Sequence, residues 1–497
     1  MYAILRPENA YKITYELNGG VNNPANLYYF TEEDAPIYLK NPIKDGYTFI
    51  GWYETSDFSG EKLDAVPRLE DLTLYAKWYE ATTIEIVAGL AASTISMLSA
   101  GAYTIKATGA INSVTIEDIK TALENNQNVL INLDLSETTG LTSIGENAFC
   151  DCNNLTDISI PNGVTSIENE AFSWCKSLVN VTIPDGVTFI GESAFFSCMS
   201  LTNVTIPDSV TSIGQNAFGQ CSKLTSISIP DSVTFIGKGA FQFCMSLTTI
   251  SIPDKVFIGE WAFGTCSNLT KFDVSTNNEK YSVSDNGRIL YNKDKTELIA
   301  YPSVSGSFTI PDDVTKIISG AFMGSKLTDI VIPDSVTSID EGAFTYCYNL
   351  TSITIPESVT SFKGSFYGCN NLTSVTILAQ ITSIDSMFAF CYSLTNVILP
   401  DSVTSINNAF YCCDSLESIT IPDSVTSIGD SAFRSCSSLT SITIPDSVTS
   451  IGYEAFYNCS SLTTVNYKGL QEQWEQISIG SSNEDLTNAT INYNYTE

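Results

Sequence analysis

The sequence contains no histidine. That absence removes Ser-His-Asp triads, Cys-His dyads, HExxH zinc sites and histidine proton shuttles in one step. A metal could still be held by carboxylates or thiolates. Cations are scarce too: 23 Lys and Arg face 55 Asp and Glu, for a net charge of -32. The acidity is spread along the chain, with a net -10 over residues 1–140 and -22 over the remainder. Neither part offers a basic stripe, so nucleic acid is not expected as a partner. An acidic surface also repels an anionic membrane. No run approaches the roughly 20 apolar residues of a membrane span, so no membrane insertion is expected. The best candidate, from Ile84 to Ala102, is broken by Glu85, Gly89 and many Ser and Thr. The first residues, Met1-Tyr-Ala-Ile-Leu-Arg-Pro-Glu, show no basic segment followed by an apolar run, so no secretory leader is read there. No lipid or wall-anchor signal is read at Tyr495-Thr-Glu497.

What is present is a repeat. The chain has 497 residues, of which 43% are hydrophobic, enough for packed cores. That length suits about three ordinary domains or one repeat array. A marker phenylalanine recurs at Phe149, Phe172, Phe195, Phe218, Phe241, Phe263, Phe322, Phe344, Phe366, Phe388, Phe410, Phe433 and Phe456. The spacing is 22 or 23 residues except for one gap of 59. In one unit, Leu224-Thr-Ser-Ile227-Ser-Ile229 reads as a short strand with Ile227 and Ile229 inward. Pro230 ends the pairing, Asp231-Ser232 suit a turn, and Val233 and Ile236 return the chain to the core. Seven copies then carry Gly and three carry Asp340, Asp385 or Asn407, which predicts a turn at positive φ. Ala240, Phe241 and Cys244 fit one helical turn. One unit cannot bury its inward side chains alone, but stacked units can.

The run A-F-x-x-C-x-x-L-T-x-I-x-I-P-x-x-V-T-x-I resembles the BspA-like, treponemal-type leucine-rich repeat (LRR 5) of bacterial surface proteins. The resemblance implies an α/β repeat solenoid of about 13 units over 141–467, with a parallel sheet. At the roughly 4.8 Å spacing of strands, such an array would run some 60 Å. The N-terminal segment has Tyr11-Lys-Ile-Thr-Tyr-Glu-Leu-Asn-Gly-Gly20, Gly46-Tyr-Thr-Phe-Ile-Gly-Trp-Tyr53 and Leu74-Tyr-Ala-Lys-Trp78. These motifs resemble the Listeria–Bacteroides repeat, the B-repeat of internalin-type proteins, which implies a small β-grasp-like module over 11–78. Residues 82–140 read as an N-terminal cap, with Thr115-Ile-Glu-Asp118 opening a helix to about Asn125 and Val129 to Leu135 as the first array strand. In the 59-residue gap, turn signals at Asp285-Asn-Gly287 and Asn292-Lys-Asp294 predict an inserted pair of hairpins over 271–310. Residues 468–497 form a C-terminal cap, with a helix from Leu470 to Ile477 and a closing strand from Thr490 to Tyr495.

Three repeated features are candidates for chemistry. Twelve of the 14 cysteines lie three residues after a marker Phe, leaving Cys150 and Cys412 as extras. They read either as disulfides or a metal ladder, or as a stack of buried thiols acting as small hydrophobes. The periodicity accounts for the second reading completely. Asp or Glu follows the repeat proline in ten of eleven copies. Those carboxylates could attract Ca²⁺ or could cap their own turns. The outward strand positions hold Ser, Thr and Asn, as at Ser226 and Ser228, with none of the Trp, Tyr or Arg favoured in interface hot spots.

The candidate partner-binding residues lie elsewhere. The two positions after each marker Phe vary most and hold Trp174, Phe196, Phe243, Tyr346, Tyr367, Phe390, Tyr411 and Tyr457. The fourth position adds Tyr348 and Tyr392. These rings either shield seams between neighbouring turns or form a partner site. Five of them, Tyr346, Tyr348, Tyr367, Phe390 and Tyr392, fall in three successive copies and are predicted to lie within about 10 Å along the array axis. No residue set is assigned to catalysis, a cofactor or a metal. The resemblance implies a non-enzymatic cell-surface or secreted scaffold, an adhesin that contacts host extracellular-matrix or surface proteins or neighbouring cells. The alternatives are an intracellular scaffold, favoured by unpaired cysteines, and a carboxylate-based glycosidase, opposed by acidic residues that sit on repeat turns.

Overall fold

The computed structural model describes residues 10–24, 26–34, 37–44, 47–284, 286–301, 303–360 and 366–496. The N-terminal Met1-to-Glu8 motif, Gly46, Asp285 and Glu497 lie outside them. The chain divides into two compact units, Met1–Ser228 and Ile229–Glu497.

Unit 1 begins with the aromatic-rich module. Strand Tyr11–Glu16 pairs antiparallel with Tyr29–Phe30 and parallel with the long strand Leu72–Val87, which also pairs antiparallel with Tyr47–Tyr53. Alternation of apolar and polar residues sends one face inward. The core is Ile13, Phe30, Ile37, Leu39, Trp52, Leu74 and Ala76. The far half of Leu72–Val87 pairs parallel with Gly101–Ala110, which pairs parallel with Val129–Thr139. One strand therefore leads from the module into the repeat sheet. The cap helix spans Ser113–Asn125 and starts two residues before the expected Thr115. The reason is Asn112. Its side chain accepts the Thr115 N–H at 3.0 Å, so Asn112 is the N-cap and Thr115 its N3 partner.

Each rung then contributes two strands to two ladders. In unit 1, Leu155–Ser159, Asn180–Thr182, Asn203–Thr205 and Ser226–Ser228 form the first, in register 23 residues apart from the second strand onward. Ser143–Ile144, Ser166–Ile167, Phe189–Ile190 and Ser212–Ile213 form the second. The third side of each rung is a chain of tight turns. The residues around Phe172 form no α-helix, contrary to the helical turn read from the sequence. Their N–H groups alternate instead. Ser173 N donates to Glu170 O at 3.0 Å within the rung, whereas Trp174 N donates to Phe196 O at 2.7 Å in the next. An α-helix would direct every donor to its own chain four residues back. Here half of them tie rungs together.

The repeat glycine also differs from expectation. Gly191 and Gly214 do not have positive φ; a Cβ on Gly214 would lie 2.5 Å from the Gly191 carbonyl carbon. The glycine is there for close approach of backbones. Positive φ falls two residues later, at Ser193 and Asn216.

The marker phenylalanines stack in the core, with Phe149, Phe172, Phe195 and Phe218 at 5.2 to 5.3 Å and nearly parallel. Burying each ring contributes on the order of 2 kcal/mol.

Unit 2 repeats this plan. Its first ladder holds Gly306–Thr309, Leu327–Val331, Ser352–Ile355, Ser374–Ile377 and Asn396–Ile398. Ser418–Thr420, Ser441–Ile444, Thr464–Tyr467 and Thr490–Asn492 form a further set. The long gap holds two successive hairpins, Tyr281–Val283 with Leu290–Asn292 and Leu290–Asn292 with Glu297–Ala300, and the last of these strands joins the second ladder beside Lys316–Ile317. On the turn side the insertion is bypassed: Thr265 N donates to Met323 O at 2.8 Å. The C-terminal helix is short, Gln471–Trp474, with Trp474 buried against Tyr467 at 5.2 Å.

Candidate interaction surface

The repeat cysteines are built into the turn side. Cys175 donates its thiol to Phe149 O at 2.9 Å, Cys198 to Phe172 O at 3.1 Å and Cys436 to Phe410 O at 3.1 Å. All 14 cysteines are free thiols, and the twelve periodic ones are buried. Burial pushes Cys152, Cys391 and Cys459 up to about 12, well away from the reactive thiolate. At the proline turn the side-chain partner is the serine after the acid: Ser209 Oγ donates to Val187 O at 2.5 Å and Ser358 Oγ to Val336 O at 2.8 Å.

The variable aromatic positions sit on the same turn side. In all thirteen copies the second residue after the marker Phe has positive φ. Gly324, Gly368 and Asn458 suit that conformation, but Trp174 (63°), Phe243 (60°), Tyr346 (59°) and Phe390 (63°) do not. A bulky residue in the left-handed region costs about 1 kcal/mol or more. Its side chain is held there by contacts with the neighbouring rung.

In unit 2 those contacts are continuous. Phe243 lies 6.2 Å from Tyr346, Tyr346 lies 5.7 Å from both Tyr348 and Tyr367, and Tyr367 lies 5.1 Å from Phe390. Phe390 then meets Tyr392 at 6.2 Å and Tyr411 at 4.9 Å, mostly edge to face. Arg434 extends the row, with its guanidinium 5.7 Å from the Tyr411 ring and 5.1 Å from the Tyr457 ring. Tyr348 and Tyr392 are 42% and 41% exposed; the rings between them are half-buried. Inner rings thus close the seam between rungs while outer rings face solvent. In unit 1, Trp174 and Phe196 form a separate pair at 5.7 Å, with Lys176 over Trp174 at 5.3 Å.

The five rings that the sequence places in three successive copies are therefore in mutual contact. Two members escape a reading by period. Phe243 reaches Tyr346 because the insertion is bypassed on the turn side. Arg434 stands one place after its marker Phe, where other copies hold varied residues, and its signal in the sequence is only its charge.

Comparison with known proteins bears on the repeat and the module. The model of the BspA type leucine rich repeat region matches in six copies, over residues 142–270, 303–409 and 406–497. The Listeria-Bacteroides repeat domain matches residues 11–77. Among solved structures, a leucine-rich repeat protein from Eubacterium ventriosum is 28% identical, covering 72% of this chain and 90% of its own, with a TM-score of 0.52. A leucine rich cell surface protein from Faecalibacterium prausnitzii is 27% identical, covering 90% and 98%, with a TM-score of 0.48. A leucine-rich repeat protein from Bacteroides ovatus is 28% identical, covering 71% and 87%, with a TM-score of 0.37. No curated protein matches the chain.

Proposed function

Because the chain belongs to the BspA-type leucine-rich repeat family, we propose that it is a non-enzymatic protein-interaction scaffold of the cell surface or the secreted fraction. In this reading it acts as an adhesin, holding host extracellular-matrix or neighbouring-cell proteins. The observation that carries the proposal is the aromatic row of unit 2, from Phe243 through Tyr346, Tyr367 and Phe390 to Tyr411. It retains bulky rings at left-handed positions where glycine would be easier. Tyr and Arg are the residues that dominate binding energy at protein interfaces, and here they are half-exposed and preorganised. The combination of the repeat with a Listeria-Bacteroides module supports the surface assignment.

The test is binding of the full chain to a panel of purified host matrix proteins. Tyr346→Ala with Tyr392→Ala weakens capture at least tenfold without lowering the melting temperature by more than a few degrees, whereas Ser226→Ala with Ser228→Ala leaves it unchanged. The opposite ranking would move the partner to the strand face.

A second reading has its own support. Fourteen free thiols fit a reducing compartment, and an intracellular scaffold would have them. Fractionation of the producing cells with detection of the intact chain separates the two.

A further inference from the structure

Within unit 1 the module turns back over the outward face of the repeat sheet. Lys223 holds it there. Its ammonium donates to Asp64 Oδ1 at 3.1 Å, and its side chain is only 6% exposed. Lys62 approaches the same carboxylate oxygen at 4.0 Å. The other rungs of unit 1 carry Asn154, Ser177 and Ser200 at the position of Lys223. The lysine departs from the repeat where the module meets it.

This docking encloses a cleft of about 610 Å³. Its charge runs against that of the chain. Among the described residues lining it, Lys40 and Lys62 are the cations and Asp157 is the one carboxylate. Asp157 already accepts the Asn180 side-chain amide at 2.7 Å. Burial first, and the Lys223 charge second, hold the Lys40 ammonium down to about 8. Burial also lowers Lys62, with Asp64 opposing it. An anion entering the cleft relieves both.

The floor supplies the rest of the recognition chemistry. Asn132, Asp157, Asn180 and Asn203 occupy paired positions on four successive strands. Neighbouring strands stand about 4.8 Å apart. The row therefore presents three amides and the Asp157 carboxylate at steps close to the length of a pyranose ring, with Asn180 donating to Asp157 and Asn203 Oδ1 accepting from Ser226 Oγ at 3.3 Å. An extended peptide advances about 3.3 Å per residue and alternates its side chains, which does not keep step with that row. The backbone groups of these strands are already paired, so strand addition on this face has no donors or acceptors to use. On the module side Tyr47 is 39% exposed and Phe49 half-buried. Lys44 Nζ lies over the Tyr47 ring at 3.9 Å, so a sugar would pack on the opposite face of that ring.

We propose that this cleft is a binding site for an anionic oligosaccharide, one bearing a sugar carboxylate. Lys40 and Lys62 pair with the carboxylate. The row from Asn132 to Asn203 bonds the hydroxyls, and Tyr47 packs on the sugar ring. The site is separate from the aromatic row of unit 2 and stands or falls independently of it.

The experiment is calorimetric titration of the full chain at pH 7 with oligogalacturonate, a hyaluronan hexasaccharide and sialyllactose. The methyl ester of oligogalacturonate and oligoglutamate serve as comparisons. At least one acidic saccharide is expected to bind. Esterification, Lys40→Gln with Lys62→Gln, and Asn180→Ala with Asn203→Ala are each expected to weaken binding tenfold or more. Asn180 and Asn203 are exposed, so the second variant keeps its fold, checked by an unchanged melt, if the lysine variant does not. Tyr346→Ala with Tyr392→Ala leaves saccharide binding unaltered. No binding by any of the three saccharides overturns the proposal. So does equal binding of oligoglutamate, which would make the cleft an acidic-peptide site.

Discussion

The thiol of Cys175 donates to the carbonyl oxygen of Phe149, 2.9 Å away and one rung earlier. The same bond recurs along the stack, as for Cys391 to Phe366 O and Cys459 to Phe433 O, at 3.1 and 3.0 Å. Each cysteine thus fills a small apolar space and closes a carbonyl that the turn leaves open.

The thiols make the fold sensitive to alkali. Burial raises Cys152, Cys266, Cys391 and Cys459 from 9.0 to about 12. Above pH 9 the unfolded chain releases those protons while the folded chain keeps them. Stability is therefore full below about pH 9 and falls as pH rises toward 12. Thermal melts should show a steep loss of melting temperature from pH 9 to pH 11. Thiol titration should find 14 reactive groups in denaturant and, natively, reaction only at the half-buried Cys150 and Cys412. A flat melting profile over that range would remove the buried-thiol account.

The left-handed aromatic positions are expected to matter little for stability. Phe390→Gly relieves a strained backbone by about 1 kcal/mol and gives up edge contacts of about the same size. Its stability by urea titration should change by less than about 1 kcal/mol. Phe388→Ala, two residues earlier and fully buried, should lose about 3–5 kcal/mol.

Close backbone approach makes Gly214 intolerant. A Cβ there would meet the Gly191 carbonyl carbon at 2.5 Å and the Glu192 nitrogen at 2.6 Å. Gly214→Ala is expected to lower the melting temperature of unit 1 by several degrees. Gly60→Ala, with no atom within 4 Å but φ of +97°, should cost only about 1 kcal/mol of backbone strain.

The Lys223–Asp64 ion pair joins the module to the repeat sheet at 3.1 Å. Lys223→Ser restores the side chain seen at Ser177 and Ser200 and removes the nearer of the two ammonium partners of Asp64. The pair is half in solvent through Asp64, so its loss is expected to weaken docking by about 1–2 kcal/mol. Amine-reactive footprinting should label Lys40 and Lys62 faster in the variant, with the melt of the repeats unchanged. Unaltered labelling would show that other contacts hold the module.

The sequence by itself determined the period, the stacked phenylalanines, the buried cysteine column and the inward Ile and Val of each strand. These contacts join residues 22 or 23 apart and recur in copy after copy, so one rule read many times specifies them. The sequence misled where two backbones meet: the repeat glycine answers to a neighbouring rung's carbonyl, and the donors near Phe172 alternate between rungs in place of a helix. Neither is visible in a single copy, because both need the next rung in place. Only the tertiary structure decided the contacts made once. Lys223 meets Asp64 across 159 residues, and Phe243 meets Tyr346 across the insertion. No periodicity encodes such a pair; it arises from where the strand Leu72–Val87 sends the module and where the hairpin leaves the stack.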